Sequence, residues 1–117
     1  MINNNFEKKL KSKEFVFTAE TSPPDSTVRS EITDRVLCLK DLADAINVTD
    51  GASAKSHLSS LVVSSIIKDI EIEPILQLTT RDRNRIAIQS DLLGAWTLNI
   101  QNICLLYTSP SPRDWTI

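Results

Sequence analysis

Few residues in this chain could do chemistry, and the ones that could stand at the ends of β-propensity runs. Glu20 closes the run Phe15-Val16-Phe17-Thr18-Ala19-Glu20. A carboxyl at a partly desolvated strand end can have its pKa raised until it donates a proton near neutral pH. The same residue in an open loop is only a solvated charge, and from sequence alone that is the simpler reading. His57 falls near the start of a helical pattern and suits a surface or capping residue better than a base. Arg81 carries paired guanidinium donors but equally suits a helix-flanking surface charge, and Asp82 can cap a helix. One histidine and two distant cysteines, Cys38 and Cys104, cannot fill a metal site. Cys38 lies among apolar helix positions and reads as a buried thiol. Gly51 and Gly94 are the only glycines, so neither a GxGxxG fingerprint nor a phosphate loop can be written.

The elements that must position these residues follow from periodicity. Residues 1–14 are polar and lysine-rich and predict a frayed lead-in helix or arm. The first strand, from Phe15, ends in the turn-forming Thr21-Ser22-Pro23-Pro24-Asp25. Ser26 or Thr27 can cap a helix in which Ile32, Val36, Leu39 and Ala43 share a face. A second strand, Ala45-Ile46-Asn47-Val48-Thr49, meets the turn Asp50-Gly51, and a helix through Leu58, Leu61, Val62 and Ile66 follows. The third strand is Pro74-Ile75-Leu76-Gln77-Leu78-Thr79. The third helix runs from about Asn84 to Leu98 and sets Ile88, Leu92, Ala95 and Trp96 against the sheet. A fourth strand begins near Ile100.

Strand starts recur at roughly thirty-residue intervals, the length of a strand plus a returning helix in a parallel sheet. A barrel of eight such units takes ~250 residues, a similar length per unit. A doubly wound open sheet has the same local pattern, and the lack of a glycine-rich first turn tilts the choice toward the barrel. The expected fold class is therefore α/β, about three and a half βα units of a (β/α)8 TIM barrel.

Composition narrows the function classes. Hydrophobic residues make up 41% and charged residues 24%, ordinary for a globular chain. A formal charge of -2 with no basic block argues against a nucleic-acid partner. No apolar stretch is long enough to span a membrane, no secretory signal is visible, and the two cysteines read as reduced thiols in a cytoplasmic protein.

The end of the chain breaks the pattern. Cys104 to Asp114 read CLLYTSPSPRD, where prolines arrive at once in place of an apolar strand and a short loop. The string matches one reading frame of a common transposase-library sequencing adapter. Residues 104–117 are thus expected to be a read-through tail, with the native gene continuing beyond Ile103.

Four segments of residues 15–103 resemble the methylenetetrahydrofolate reductase family. They are Thr18-Ala19-Glu20 with Pro23-Pro24; Asp44 through Asp50, read DAINVTD; Glu73 through Thr79, read EPILQLT; and Arg81-Asp82-Arg83-Asn84-Arg85 through Asp91-Leu92-Leu93-Gly94-Ala95. The last is the most specific of them. The resemblance implies a (β/α)8 barrel that binds FAD at the C-terminal ends of its strands. Its implied reaction is reduction of 5,10-methylenetetrahydrofolate to 5-methyltetrahydrofolate, with NADH or NADPH as electron donor. It makes Glu20 the catalytic acid, and it implies Thr49, Gln77, Thr79 and Arg81 as cofactor-binding residues. Thr49 matches a flavin-contacting threonine, Gln77 stands where some relatives carry histidine, and Arg81 would serve the pyrophosphate. The family's Gly-Asp element after the fourth strand is replaced here by the adapter-like string, so Asp114 is not its aspartate. The partner it implies is a folate substrate, with the parent a homo-oligomer or part of a reductase complex. A non-catalytic flavin- or folate-binding partner subunit of the same family is the alternative. The chain itself is expected to be inactive.

Overall fold

A computed structural model describes residues 5–106. Helix α1 spans Asn5–Lys11, and the strand–helix alternation follows as β1 (Thr18–Thr21), α2 (Arg29–Val36), β2 (Ala45–Val48), α3 (Ser60–Asp69), β3 (Pro74–Thr79), α4 (Arg85–Thr97) and β4 (Asn102–Leu106). The strands form one sheet in the order β1-β2-β3-β4, every neighbouring pair parallel. A parallel pair cannot be joined by a tight turn, so each connection crosses back as a helix. This is the expected α/β class, a run of βα units consistent with part of a barrel.

The two faces of the sheet divide the residues by chemistry. Ile46 and Val48 of β2 pack against Ile32 and Val36 of α2 and Val63, Ile66 and Ile67 of α3. Leu76 of β3 packs against Ala95 and Ile100 beneath α4. β-branched residues dominate this layer, which suits a pleated surface buried under helices. Each such side chain withdrawn from water contributes roughly 1.5–3 kcal/mol before conformational entropy is counted. On the opposite face the register places Glu20 beside Asn47, Asn47 beside Ile75 and Ile75 beside Asn102, with Gln77 beside Cys104. That second face is therefore largely polar.

Several expectations need correction. β1 starts at Thr18 and not at Phe15; Phe15 and Phe17 are 78% and 62% exposed and pack edge-to-face on each other at 4.8 Å. Neither Ser26 nor Thr27 is the N-cap of α2: Val28 is, and the Ser26 hydroxyl accepts from the Val28 N–H at 3.1 Å instead. The inward face of α3 is Val63, Ile66 and Ile67, while Val62 is exposed and Leu58 precedes the helix. Trp96 is 69% exposed, because Ala95, one position earlier, takes the inward place on α4. Cys38 lies in a 3-10 turn, Leu37–Leu39, and its thiol is exposed. β4 runs on through Cys104, Leu105 and Leu106, paired to Gln77, Leu78 and Thr79, so Ile103 is not the end of the strand. The rest of the adapter-like string, from Tyr107, lies outside the described residues, as does Asp114.

Candidate functional site

The polar residues singled out from sequence gather at one end of the sheet, where β1, β2 and β3 finish. Glu20 is the third residue of β1 and is exposed on the polar face. Gln77, two residues beyond Ile75, shares that face and is half-buried. Thr49 follows β2; its N–H donates to the Thr21 carbonyl at 3.1 Å and its hydroxyl to Ser22 Oγ at 3.2 Å, which ties the first two strand ends. Thr79 ends β3 and is only 1% exposed.

A buried carboxylate that sequence reading passed over holds these ends together. Asp50 Oδ2 accepts from the Thr79 N–H at 2.7 Å, and the Thr79 hydroxyl donates to the Asp50 carbonyl at 2.8 Å. Arg83 Nη1 donates to Asp50 Oδ2 and, at 2.8 Å, to the Thr79 carbonyl, while its Nε donates to Asp91 on α4 at 2.9 Å. One guanidinium thus joins the ends of β2 and β3 to the following helix, a use of its planar fork that lysine cannot reproduce. Burial pulls the Arg83 pKa down, but the Asp50 and Asp91 carboxylates outweigh it and hold the group above its ordinary value. The guanidinium stays charged.

His57 closes the other side of the turn. The Gly51 N–H donates to His57 Nε2 at 2.8 Å, and Nδ1 lies 2.7 Å from the Leu58 carbonyl. An acceptor Nε2 and a donor Nδ1 describe the neutral imidazole. His57 is therefore a partly buried loop clamp, neither a surface residue nor a cap. Ser59 caps α3 through the Val62 N–H. Asp82 likewise caps nothing: it lies in a 3-10 turn, Thr80–Asp82, and Asn84 caps α4. Asp82 instead holds Arg81 in a fork, with Nε–Oδ1 3.0 Å and Nη2–Oδ2 2.9 Å. That hydrogen bond keeps the Asp82 carboxyl below its ordinary pKa and lifts Arg81 above its own.

Between the Asp50-Gly51 turn and residues Arg81 to Arg83 lies an open cleft of about 740 Å³ that Lys55 and His57 also line. A second cleft, of about 800 Å³, lies at the opposite end of the sheet. Several of its charges are paired, among them Lys9 with Asp44 at 2.6 Å and Lys68 with Glu73 at 2.7 Å. In parallel barrels chemistry gathers at the C-terminal strand ends and the other end serves stability, so the first cleft is the candidate site. Of the residues expected from sequence, Arg81 lines it, while Glu20, Thr49, Gln77 and Thr79 do not. Asp50, Arg83 and His57 were missed because their contacts join positions far apart in sequence. The only hint was that Asp50 sits in the turn after Thr49 and Arg83 inside the Arg-Asp-Arg-Asn-Arg run.

Parallel βα units with polar side chains at their C-terminal ends are consistent with a segment of a barrel. A family model described as methylenetetrahydrofolate reductase matches residues 5–115, and the chain belongs to that family. No curated protein matches it. Membership makes it an oxidoreductase segment with a methylenetetrahydrofolate reductase-type function.

Proposed function

We propose that the parent protein is an FAD-dependent reductase that converts 5,10-methylenetetrahydrofolate to 5-methyltetrahydrofolate, with NADH or NADPH as electron donor, in cytoplasmic one-carbon and methionine metabolism. The observation that carries this reading is the placement of Glu20 and Gln77 on one polar sheet face, with Thr49 at the adjoining strand end, in a chain of this family.

The donor set suits a flavin. The Gln77 amide and Thr49 hydroxyl are neutral groups for ring heteroatoms, and Arg81 is a cation for phosphate oxygens. Thr79 suits it least, because its hydroxyl and N–H are both engaged with Asp50. Bound flavin, once reduced by the nicotinamide donor, would supply the hydride. Glu20 supplies the proton: the folate methylene bridge opens when a ring nitrogen is protonated, and a carboxyl on the polar face is placed to deliver it. The surrounding residues fix where that carboxyl stands, with Asn47 beside it in the register and its amide donating to the Ala19 carbonyl at 3.4 Å.

The 117-residue chain itself is proposed to hold no FAD and to turn over no substrate, since its four described strands cannot surround a cofactor. Purification should give a colourless protein that does not oxidise a nicotinamide cofactor in the presence of folate. Stoichiometric yellow flavin would overturn the inactivity. Re-reading the source DNA past Ile103 tests the parent's function. A Gly-Asp element followed by further βα units supports the reductase, and its absence favours the partner subunit.

A further inference from the structure

We propose that His57 is a pH-operated latch on the loop that walls the cleft, closed while its imidazole is neutral and opened by protonation at Nε2. The latch holds a strained segment. Gly51, Ser53 and Ala54 all have positive φ, at 67°, 57° and 53°. Only the first is glycine, and left-handed backbone is unfavourable for serine and alanine. Such a segment persists only while its surroundings hold it. The bond from the Gly51 N–H to His57 Nε2, 2.8 Å long, ties the start of the segment to the residue just beyond it.

That bond exists in one charge state. Nδ1 faces the Leu58 carbonyl at 2.7 Å, so the neutral ring carries its proton there and keeps the Nε2 lone pair for Gly51. Leu58 is itself fixed, its N–H donating to the Pro24 carbonyl at 2.8 Å. A proton taken from solvent onto Nε2 turns that acceptor into a donor facing the Gly51 N–H. One acceptor stands ready, Asp50 Oδ1 at 3.7 Å, which Arg83 Nη2 also approaches at 3.4 Å. The imidazolium therefore turns from the backbone to Asp50 and releases the Gly51 amide. The other charges near the ring are Lys55, Arg81 and Asp82 on the cleft wall, and Asp25, which accepts from the Ser56 hydroxyl at 3.4 Å. Arg81 and Asp82 are engaged with each other, so Asp50 is the carboxylate that stands at Nε2. Histidine is the side chain that changes charge near neutrality. Release moves the wall formed by Gly51, Ala54 and Lys55, so what the cleft admits follows pH.

Nitrogen-15 NMR of the chain tests the latch, because His57 is its only histidine and Gly51 one of two glycines. At neutral pH the ring should be protonated on Nδ1. On acidification the Gly51 amide should shift with the midpoint of the ring and lose its hydrogen-exchange protection over the same interval. Gly94, on α4, should keep its protection, which separates opening of the loop from unfolding of the chain. His57→Gln offers an amide oxygen to Gly51 and cannot titrate, so there the Gly51 amide should stay protected and unshifted throughout. If that variant fails to fold, the ring tautomer and the coincidence of the two midpoints in the parent chain decide the matter. A neutral ring protonated on Nε2, a Gly51 amide that stays protected while the ring titrates, a loss shared by Gly94, or an unchanged Gly51 titration in a folded His57→Gln chain would each overturn the proposal. The outcome does not depend on flavin binding.

Discussion

Asp50 matters more to this site than any residue chosen for its chemistry. Its side chain is 6% exposed and it accepts from the Thr79 N–H and from Arg83. Asp50→Asn keeps an oxygen for Thr79 but leaves the half-buried Arg83 with Asp91 as its remaining counter-charge among the described residues. The expected loss is about 2–4 kcal/mol, below the full range for a buried pair because Arg83 is 21% exposed. Urea unfolding measures it, and an unchanged midpoint would mean that Asp91 alone holds Arg83. Gly51, next in sequence, has a φ of +67°, and a β-carbon there would meet Arg81 Nη2 at 3.4 Å. Gly51→Ala should lower the thermal midpoint through a strain of about 1–2 kcal/mol. At this scale sequence placed Glu20, Thr49, Gln77 and Thr79 at strand ends because β-propensity runs mark those ends, while their roles came from the family resemblance. The clamp was not legible, since nothing local says that residues 50 and 83 meet.

Elements were legible where a strong pattern met a strong stop. β3 was read to the residue, because Pro74 opens an apolar run and the Thr-Thr-Arg-Asp that follows breaks it. β1 was not: Phe15 and Phe17 have high β propensity, but their places beside the sheet stay open and they pair with each other. The helix faces were read one residue too wide: Ile66 and Ala95 are buried as expected, while Val62 and Trp96 are exposed. A run of apolar neighbours such as Leu61-Val62-Val63 leaves the helical period without a unique inward face. Helix α1 has no buried residue, and Lys9 ties it to Asp44, whose other oxygen accepts from the Phe17 N–H at 2.9 Å. The Lys9 hydrogen bond, then that N–H, hold the Asp44 carboxyl below its ordinary value of 3.8. A lowered folded-state pKa makes the contribution complete above the unfolded value and removes it as pH falls through the folded one. The α1 tie should therefore survive at neutral pH and fail only in acid below the ordinary carboxylate range. The Phe17 amide resonance, followed through an acid titration, should move in that window and stay flat in Asp44→Asn. A transition near neutrality would contradict the assignment.

For the molecule as a whole, the thirty-residue repeat was enough to read parallel βα units, because a right-handed crossover leaves few other ways to return a strand. It could not say how the core divides. The apolar layer forms two clusters, one under α2 and α3 and one under α4. Leu76 joins them: it is fully buried in the second and stands beside Val48 of the first in the β2–β3 register. Leu76→Ala removes that junction and should cost about 2–5 kcal/mol, a large share of the ~5–15 kcal/mol that holds a domain of this size. If the clusters unfold as one unit, Trp96 fluorescence and far-UV ellipticity should fall together in urea, in the parent chain and in the variant alike, with Trp115→Phe as the background so that only α4 reports. If α4 is held independently, the variant should lose the Trp96 signal at lower urea while the helicity of α2 and α3 persists. The parallel ladder predicts the first result: β3 is hydrogen-bonded on both sides, so releasing α4 from its face also loosens the strand that α3 packs against.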